Sequence, residues 1–186
     1  VTTTARPPAR VLVTGLGPVG NLAAQMFHAC GYNVTACDPV ESRQVSARAM
    51  GLPDVRNRVA PDDPQLASQF ALHLECAGHE QAVLDGCKLV RKRGEVVLVG
   101  VPWKRRADLQ AFDILHAVFH KYVVLRSGWE WELPRFPQEF APGNIADNLA
   151  GALDWLATGR VKVDGLYVTA HPSECQRIYQ IGRAHV

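Results

Sequence analysis

Three glycines and one acidic residue near the start of the chain have the types and spacing that bind a dinucleotide. Gly15, Gly17 and Gly20 form a G-x-G-x-x-G pattern, and Asp38 follows in the next apolar region. Glycines at these positions permit a tight turn, close approach of the backbone to a pyrophosphate, and close packing of the following helix. A carboxylate at this distance can accept the hydroxyls of a ribose. The spacing therefore predicts a site for a diphosphate and its sugar.

This pattern needs a strand before it and a helix after it, and the sequence supplies both. Residues 11–13 are a short apolar run, and Pro18 suits the first helical turn, where its missing N–H costs nothing. The free N–H groups of that turn would point at the phosphates, aided by the helix dipole. A second apolar run, residues 34–37, stops at Asp38. The remaining alternative is a glycine-rich turn in another α/β protein, with Asp38 as a helix N-cap.

Other nucleotide-binding loops fit the sequence less well. A short-chain dehydrogenase or a methyltransferase would need glycine where the chain has Val19, and none of the four tyrosines has a lysine four positions later. A P-loop would need Gly-Lys-Ser/Thr, and residues 20–22 read Gly-Asn-Leu. Asp38 also favours NAD over NADP, because a 2′-phosphate would meet a like charge. Arg43, one helical turn beyond, would then cover the adenosine ribose.

Composition sets the limits of the interpretation. The 186 residues, 47% of them apolar, can bury one sizeable core, and a net charge of +2 indicates neither nucleic acid nor a membrane surface as a partner. Residues 91–93 are basic and are predicted to end a helix before Gly94, while residues 104–106 are predicted to be a solvated basic loop. Five cysteines without a C-x-x-C pair or a secretory leader predict free thiols in a reducing, cytoplasmic compartment.

Apolar runs that alternate with helical patterns predict an α/β protein with a Rossmann-type, doubly wound, parallel six-stranded sheet and helices on both faces. The predicted strands lie near residues 10–14, 33–38, 56–60, 70–76, 95–100 and 122–127. The predicted helices lie near residues 18–30, 41–50, 80–92 and 144–157. A loop is predicted around residues 61–64, and residues 165–180 read as a strand followed by a short helix.

The ends of the chain suggest a piece of a longer protein. We interpret residues 1–9 as a linker, residues 10–160 as the NAD-binding domain, and residues 161–180 as a further segment; the family resemblance described next implies that the linker comes from an upstream catalytic domain and that residues 161–180 start the return toward it. Residues 181–186 could be translated sequencing adapter, so we expect them to be a non-native tail and exclude them from fold reasoning.

Four segments together resemble the medium-chain, zinc-dependent alcohol dehydrogenase family. They are residues 11–20 (VLVTGLGPVG), Asp38 with Arg43, residues 74–78 (LECAG) and residues 94–102 (GEVVLVGVP). The resemblance covers nearly all of residues 9–180 and corresponds to the cofactor half of such enzymes. Several roles are implied by it rather than by the residues themselves.

The resemblance implies that Val19 packs behind the nicotinamide ring and that Asp38 and Arg43 hold the adenosine ribose. Three residues at the end of the fourth strand would line the nucleotide cleft: Cys76, Ala77 and Gly78. Backbone groups near the ends of the last two strands would orient the carboxamide: Val99, Gly100, Val101 and Arg126. Residues 107–109 and 122–127 would pair two copies into a homodimer.

The resemblance also implies what this chain lacks. Family members hold zinc with ligands from an upstream domain, so we expect zinc only there and expect this chain alone to transfer no hydride. The intact protein would then oxidise an alcohol or polyol with NAD. Two alternatives remain open: a zinc-free quinone or enoyl reductase of the same superfamily, and a non-catalytic NAD(H)-sensing domain.

Five other residues have two interpretations each. His116 and His120 have an i, i+4 spacing that can bind metal, but without a third ligand nearby we expect structural or solvent-facing side chains. Glu75 could be a general base, but at the end of an apolar strand it is expected to bond local backbone. Trp129 and Trp131 would either wall a substrate pocket or pack in the core.

Overall fold

The computed structural model describes residues 2–128 and 132–184, in which six parallel strands form one sheet in the order β3-β2-β1-β4-β5-β6. The strands are β1 Arg10–Thr14, β2 Asn33–Cys37, β3 Asp54–Arg56, β4 Phe70–Glu75, β5 Val90–Leu98 and β6 Val124–Ser127. The helices are α1 Pro18–Ala29, α2 Glu41–Ala49, α3 Glu80–Leu89, α4 Ala111–Lys121, α5 Ile145–Ala157 and α6 Cys175–Ala184, the last preceded by a 3₁₀ turn, Pro172–Glu174. The predicted fold class is confirmed.

Helices cover both faces of the sheet, and each face has its own apolar core. On one face Ala24 of α1 and Ala47 of α2 pack against side chains such as Val11 and Val13 of β1. On the other face Leu84 of α3 and Ala117 of α4 pack against a second set that includes Leu12. Strand order reverses between β1 and β4, and in open α/β sheets ligands bind at the carboxyl ends of strands beside such a reversal.

Several element boundaries differ from the sequence predictions. β3 occupies Asp54–Arg56 rather than residues 56–60, and β5 starts at Val90 rather than at residue 95. Residues 91–93 therefore lie in a strand and do not end a helix, because Val90 is fully buried and pairs with Phe70 of β4. This tertiary pairing outweighs the local signal of a basic helix end before a glycine.

Other differences concern elements that the sequence predictions omitted or added. Helix α4 was missing from the predicted helices, and no strand forms between residue 165 and the 3₁₀ turn. Helix α6 continues to Ala184, into the segment that we interpreted as a non-native tail. The predicted divisions at residues 9, 160 and 180 stay predictions. No helix within the described part of the chain is long and apolar enough to cross a membrane.

The connection between β3 and β4 contains turns and no regular helix, as the predicted loop around residues 61–64 implied. Parallel strands that follow one another in the chain are usually joined by a helical crossover that covers one face of the sheet. Here residues 57–69 make the crossover as a loop, and only side chains such as Val59 and Leu66 reach the core. A cavity consequently opens between this loop and α3, on the face that also carries Leu12.

Candidate dinucleotide-binding site

The loop that joins β1 to α1 is held by close backbone contacts that only glycine allows. Gly15 has a φ of +85°, and its N–H donates to the Cys37 carbonyl at 2.9 Å. A Cβ at this position would lie 2.8 Å from the Ala77 nitrogen. A Cβ at Gly20 would lie 1.8 Å from the Gly15 carbonyl oxygen. Both glycines therefore serve packing within the loop, since each position has no room for a side chain.

Gly17 differs from its two partners in the pattern because it faces open space. It precedes α1, and a Cβ built on it would have no atom within 4 Å. Gly17 offers no side-chain cap to the helix, so the first backbone N–H groups of α1 remain for an anion. Gly17 therefore serves no internal packing, and the space beside it is open at the start of α1.

Asp38 is almost fully buried, 2% exposed, and ties the glycine loop to the end of β2. Its Oδ2 accepts the Leu16 N–H at 2.7 Å, and its Oδ1 accepts the Val40 N–H at 2.8 Å. The Arg43 guanidinium, on a side chain that is 52% exposed, lies 3.2 Å from the same Oδ2. An ionised carboxylate has about four acceptor positions. Three are engaged here, and the Arg43 donor is the one that can move away.

Two cavities lie on either side of the glycine loop, at the carboxyl edge of the sheet. The larger one, about 720 Å³, is called the adenosine cavity after the group predicted to bind there, and six of the predicted residues line it: Gly15, Gly17, Asp38, Arg43, Cys76 and Ala77. The smaller one, about 320 Å³, is called the nicotinamide cavity, and four predicted residues line it: Val19, Val99, Gly100 and Val101. The structure thus collects most of the predicted site into two adjacent spaces.

Two further glycines bring the loops after β4 and β5 into contact between the cavities. Gly78 has a φ of +63°, and a Cβ on it would lie 2.6 Å from the Val101 carbonyl oxygen. A Cβ on Gly100 would lie 2.3 Å from the Gly78 nitrogen. Gly78 and Pro18 line neither of the two named cavities. Pro18 lines a third space of about 250 Å³ together with Gly17 and Arg43.

The Glu75 side chain, at the end of β4, holds the loop that contains Ala77 and Gly78. Its side chain is buried, and its carboxylate accepts the N–H groups of Ala77 at 2.8 Å and Gly78 at 3.1 Å. Burial raises the pKa of Glu75, while the hydrogen bonds from this backbone oppose the rise. The expectation that Glu75 bonds local backbone is confirmed, and its carboxylate is occupied in shaping the loop rather than exposed as a base.

Arg126 is another predicted site residue that lines neither of the two named cavities. Its guanidinium donates to the Thr2 carbonyl and lies 3.5 Å from the buried Glu95 carboxylate. That side chain anchors the N-terminal segment against the last two strands. The nicotinamide cavity is instead lined by the next two residues, Ser127 and Gly128.

Sequence reasoning missed several residues of the adenosine cavity. Arg106 lies in the exposed basic loop that was predicted, and it also lines this cavity; its backbone N–H donates to the Glu80 carboxylate at the start of α3. Arg58 and Thr14 line it as well. Thr14 directly precedes the glycine pattern, so its position was a usable signal. Arg58 lies in the loop after β3 and Arg106 in the loop after β5, and nothing in their local sequence indicates the cavity.

The remaining candidates are a pair of histidines, two cysteines and two tryptophans. The rings of His116 and His120 lie 4.2 Å apart on α4, and the described residues contain no group of three side chains able to hold a metal. Cys37 is a core residue, and Cys76 packs against the core and lines the adenosine cavity. Burial raises the pKa of each thiol to about 12. Trp129 and Trp131 lie outside the described residues.

A parallel sheet with a glycine loop at its strand reversal and a buried carboxylate at the end of the next strand defines a Rossmann-type nucleotide-binding domain. Comparison with known proteins gives the family. A sequence profile described as zinc-binding dehydrogenase matches residues 18–136, which is well over half of the chain. The chain belongs to this family, and the resemblance to medium-chain alcohol dehydrogenases is confirmed.

Among the individual proteins similar to this chain are dehydrogenases and a reductase. L-galactonate-5-dehydrogenase of Escherichia coli K12 is 29% identical over 173 residues, which are 89% of this chain and 45% of that protein. Acetophenone reductase from Geotrichum candidum, solved with NAD, superposes with a TM-score of 0.64 at 20% identity over 86% of this chain and 41% of that one. A Sinorhizobium meliloti 1021 protein classed as a zinc-binding dehydrogenase, solved with NADP, gives 0.62 at 20% identity over 86% and 44%. The chain spans less than half of each.

Proposed function

We propose that this chain binds NAD(H) across its two cavities and positions the nicotinamide for hydride transfer in an intact alcohol or polyol dehydrogenase. The observation that carries the proposal is the meeting of Gly17 and Asp38 in one cavity. Gly17 offers an open backbone cradle for a pyrophosphate, and Asp38 offers a carboxylate for the neighbouring ribose. Membership in a family of oxidoreductases supports the reaction class.

The ribose would be held by Asp38 after a local exchange of partners. The backbone N–H groups of Leu16 and Val40 keep the carboxylate in place, and the exposed Arg43 would leave Oδ2 to make room for the sugar hydroxyls. Arg43 would then lie over the ribose, as its place on the rim of the adenosine cavity allows. The carboxylate is thus preorganised, and only one mobile side chain must move.

The nicotinamide would enter the smaller cavity. Val19, 60% exposed, forms one apolar wall, and the backbone of residues 99–101 lines the cavity with it. When bound, the nicotinamide would accept or deliver the hydride, and this chain would supply its position and exclude water from one face. The described residues contain no set of ligands for zinc, so we derive no step through a metal.

Cofactor choice is the direct test of the proposal. We expect isothermal titration of the chain to show NADH binding at least about tenfold more tightly than NADPH, because the 2′-phosphate would face the Asp38 carboxylate. ADP-ribose should bind comparably to NADH if the adenosine cavity provides most of the contacts. Equal affinities for NADH and NADPH would contradict the assignment of Asp38, and no binding of either would contradict the proposed function.

We also propose a homodimer that forms through β6. This strand lies at one edge of the described sheet, and Val124 on it is 48% exposed. Residues 107–109 form no strand, so of the two predicted pairing segments only the second has the required geometry. Light scattering should give a dimer for the unmodified chain and a monomer for Val124→Lys, since a charge on an edge strand opposes pairing. A monomer for both would overturn this part of the proposal.

A further inference from the structure

A buried histidine lies beneath the adenosine cavity with one ring nitrogen engaged and the other without a partner. His73, in the middle of β4, is fully buried, and its Nε2 lies 2.9 Å from the Thr14 hydroxyl oxygen. Its Nδ1 has no hydrogen-bond partner among the described residues. Burial lowers the pKa of His73 to about 3, so the ring is neutral at physiological pH and carries a single N–H.

The contact with α3 decides which nitrogen carries that hydrogen. A Cβ built on Gly86 would lie 1.9 Å from Nδ1 of His73, so a Cα hydrogen of Gly86 points directly at this nitrogen. A lone pair on Nδ1 accepts this approach as a weak C–H contact, whereas an N–H there would collide with it. The proton therefore resides on Nε2.

This tautomer fixes the direction of the Thr14 hydroxyl. Nε2–H donates to the Thr14 Oγ1, which leaves the hydroxyl hydrogen free to be donated elsewhere. Within the described ranges, no other side-chain hydrogen bond of Thr14 is present. Thr14 lines the adenosine cavity together with Gly15, Gly17 and Asp38. A hydroxyl donor is therefore available on the wall where the proposed function places a ribose and a pyrophosphate.

We infer that Thr14 is a further binding residue of this site. Its hydroxyl donates a hydrogen bond to a ribose or phosphate oxygen of the bound nucleotide, and His73 is a positioning residue that keeps the hydroxyl oriented as a donor. Gly86 is required because it holds the imidazole in the tautomer that does this. The inference rests on the proposed function, since the acceptor belongs to the nucleotide.

Matched substitutions at position 14 test the hydroxyl separately from the shape of the side chain. Thr14→Val keeps the branched side chain and removes the hydroxyl, and we expect it to weaken NADH binding about fivefold to tenfold in a fluorescence titration. Thr14→Ser restores the hydroxyl and should bind within about twofold of the unmodified chain. Competition with adenosine and with ADP identifies the acceptor: a loss for both indicates the ribose, and a loss for ADP alone indicates a phosphate.

A spectroscopic measurement tests the role of His73 independently of affinity. Two-bond ¹H–¹⁵N NMR correlations of the imidazole should show the Nε2–H tautomer, unchanged between pH 5 and pH 8. An Nδ1–H tautomer would overturn the inference, as would a Thr14→Val variant that binds NADH like the unmodified chain. Failure of the unmodified chain to bind NADH would instead contradict the proposed function and, with it, this inference.

Discussion

Alanine at Gly17 is expected to abolish tight NADH binding without unfolding the protein, whereas alanine at Gly20 is expected to destabilise the fold. At Gly17 a Cβ meets no protein atom within 4 Å, so the free energy of unfolding should change by less than about 1 kcal/mol. That Cβ would occupy the space through which a pyrophosphate must approach, and the affinity should fall about tenfold or more. At Gly20 it would lie 1.8 Å from the Gly15 carbonyl oxygen, which should cost about 3 kcal/mol.

Urea denaturation and NADH titration of the same samples measure both effects. Gly151→Ala in α5 is the matched control, because a Cβ there also meets no atom within 4 Å. It should be neutral for binding and stabilise the helix by up to about 1 kcal/mol. A Gly17→Ala variant that binds NADH normally would show that the phosphates do not contact this turn, and a stable Gly20→Ala variant would show that the helix can shift.

Substitution of Asp38 should change both stability and cofactor preference. Asp38→Ser leaves the Leu16 and Val40 N–H groups without their carboxylate acceptor, which we expect to lower the free energy of unfolding by about 2 kcal/mol. It also removes the partner of the ribose and releases Arg43 from its ion pair. NADH binding should weaken about tenfold or more, and the preference should shift toward NADPH because Arg43 can then face a 2′-phosphate.

Asp38→Asn separates charge from shape in this experiment. It retains one oxygen for a backbone N–H, so it should unfold at a higher urea concentration than Asp38→Ser while still losing the selectivity against NADPH. Calorimetric titration with both cofactors gives the ratio directly. An Asp38→Asn variant that keeps its preference for NADH would show that the carboxylate charge does not determine selectivity.

Local sequence was sufficient for the framework of the site. The glycine spacing and the acid after the second apolar run predicted a nucleotide-binding turn, and the structure gathers Gly15, Gly17 and Asp38 around one cavity. Both features can be recognised in the sequence because they depend on residues that are close together in the chain. A strand, a turn and a helix follow one another, and the carboxylate needs only the next strand beside them. The alternation of apolar runs and helical patterns predicted the sheet for the same reason.

The errors and omissions arose where a residue's role depends on a distant partner. Residues 91–93 resemble a basic helix end, but the pairing of Val90 with Phe70 turns this stretch into a strand. The backbone of Arg126 was expected near the nicotinamide, and that stays a prediction; the sequence did not indicate that its guanidinium bonds the Thr2 carbonyl and lies beside the buried Glu95. Arg106 lies in an exposed loop as predicted, but its local sequence did not indicate that this loop reaches the adenosine cavity. None of these partners is close in sequence.

The sequence by itself determined the class of fold, the phosphate-binding turn and the acidic residue after the second strand, because each depends on neighbours within one βαβ unit. Only the tertiary structure decided the partners of the Arg126 side chain and the contact that joins Gly86, His73 and Thr14. These depend on which strands and helices meet across the sheet, and long-range packing of that kind leaves no periodic signal in the chain.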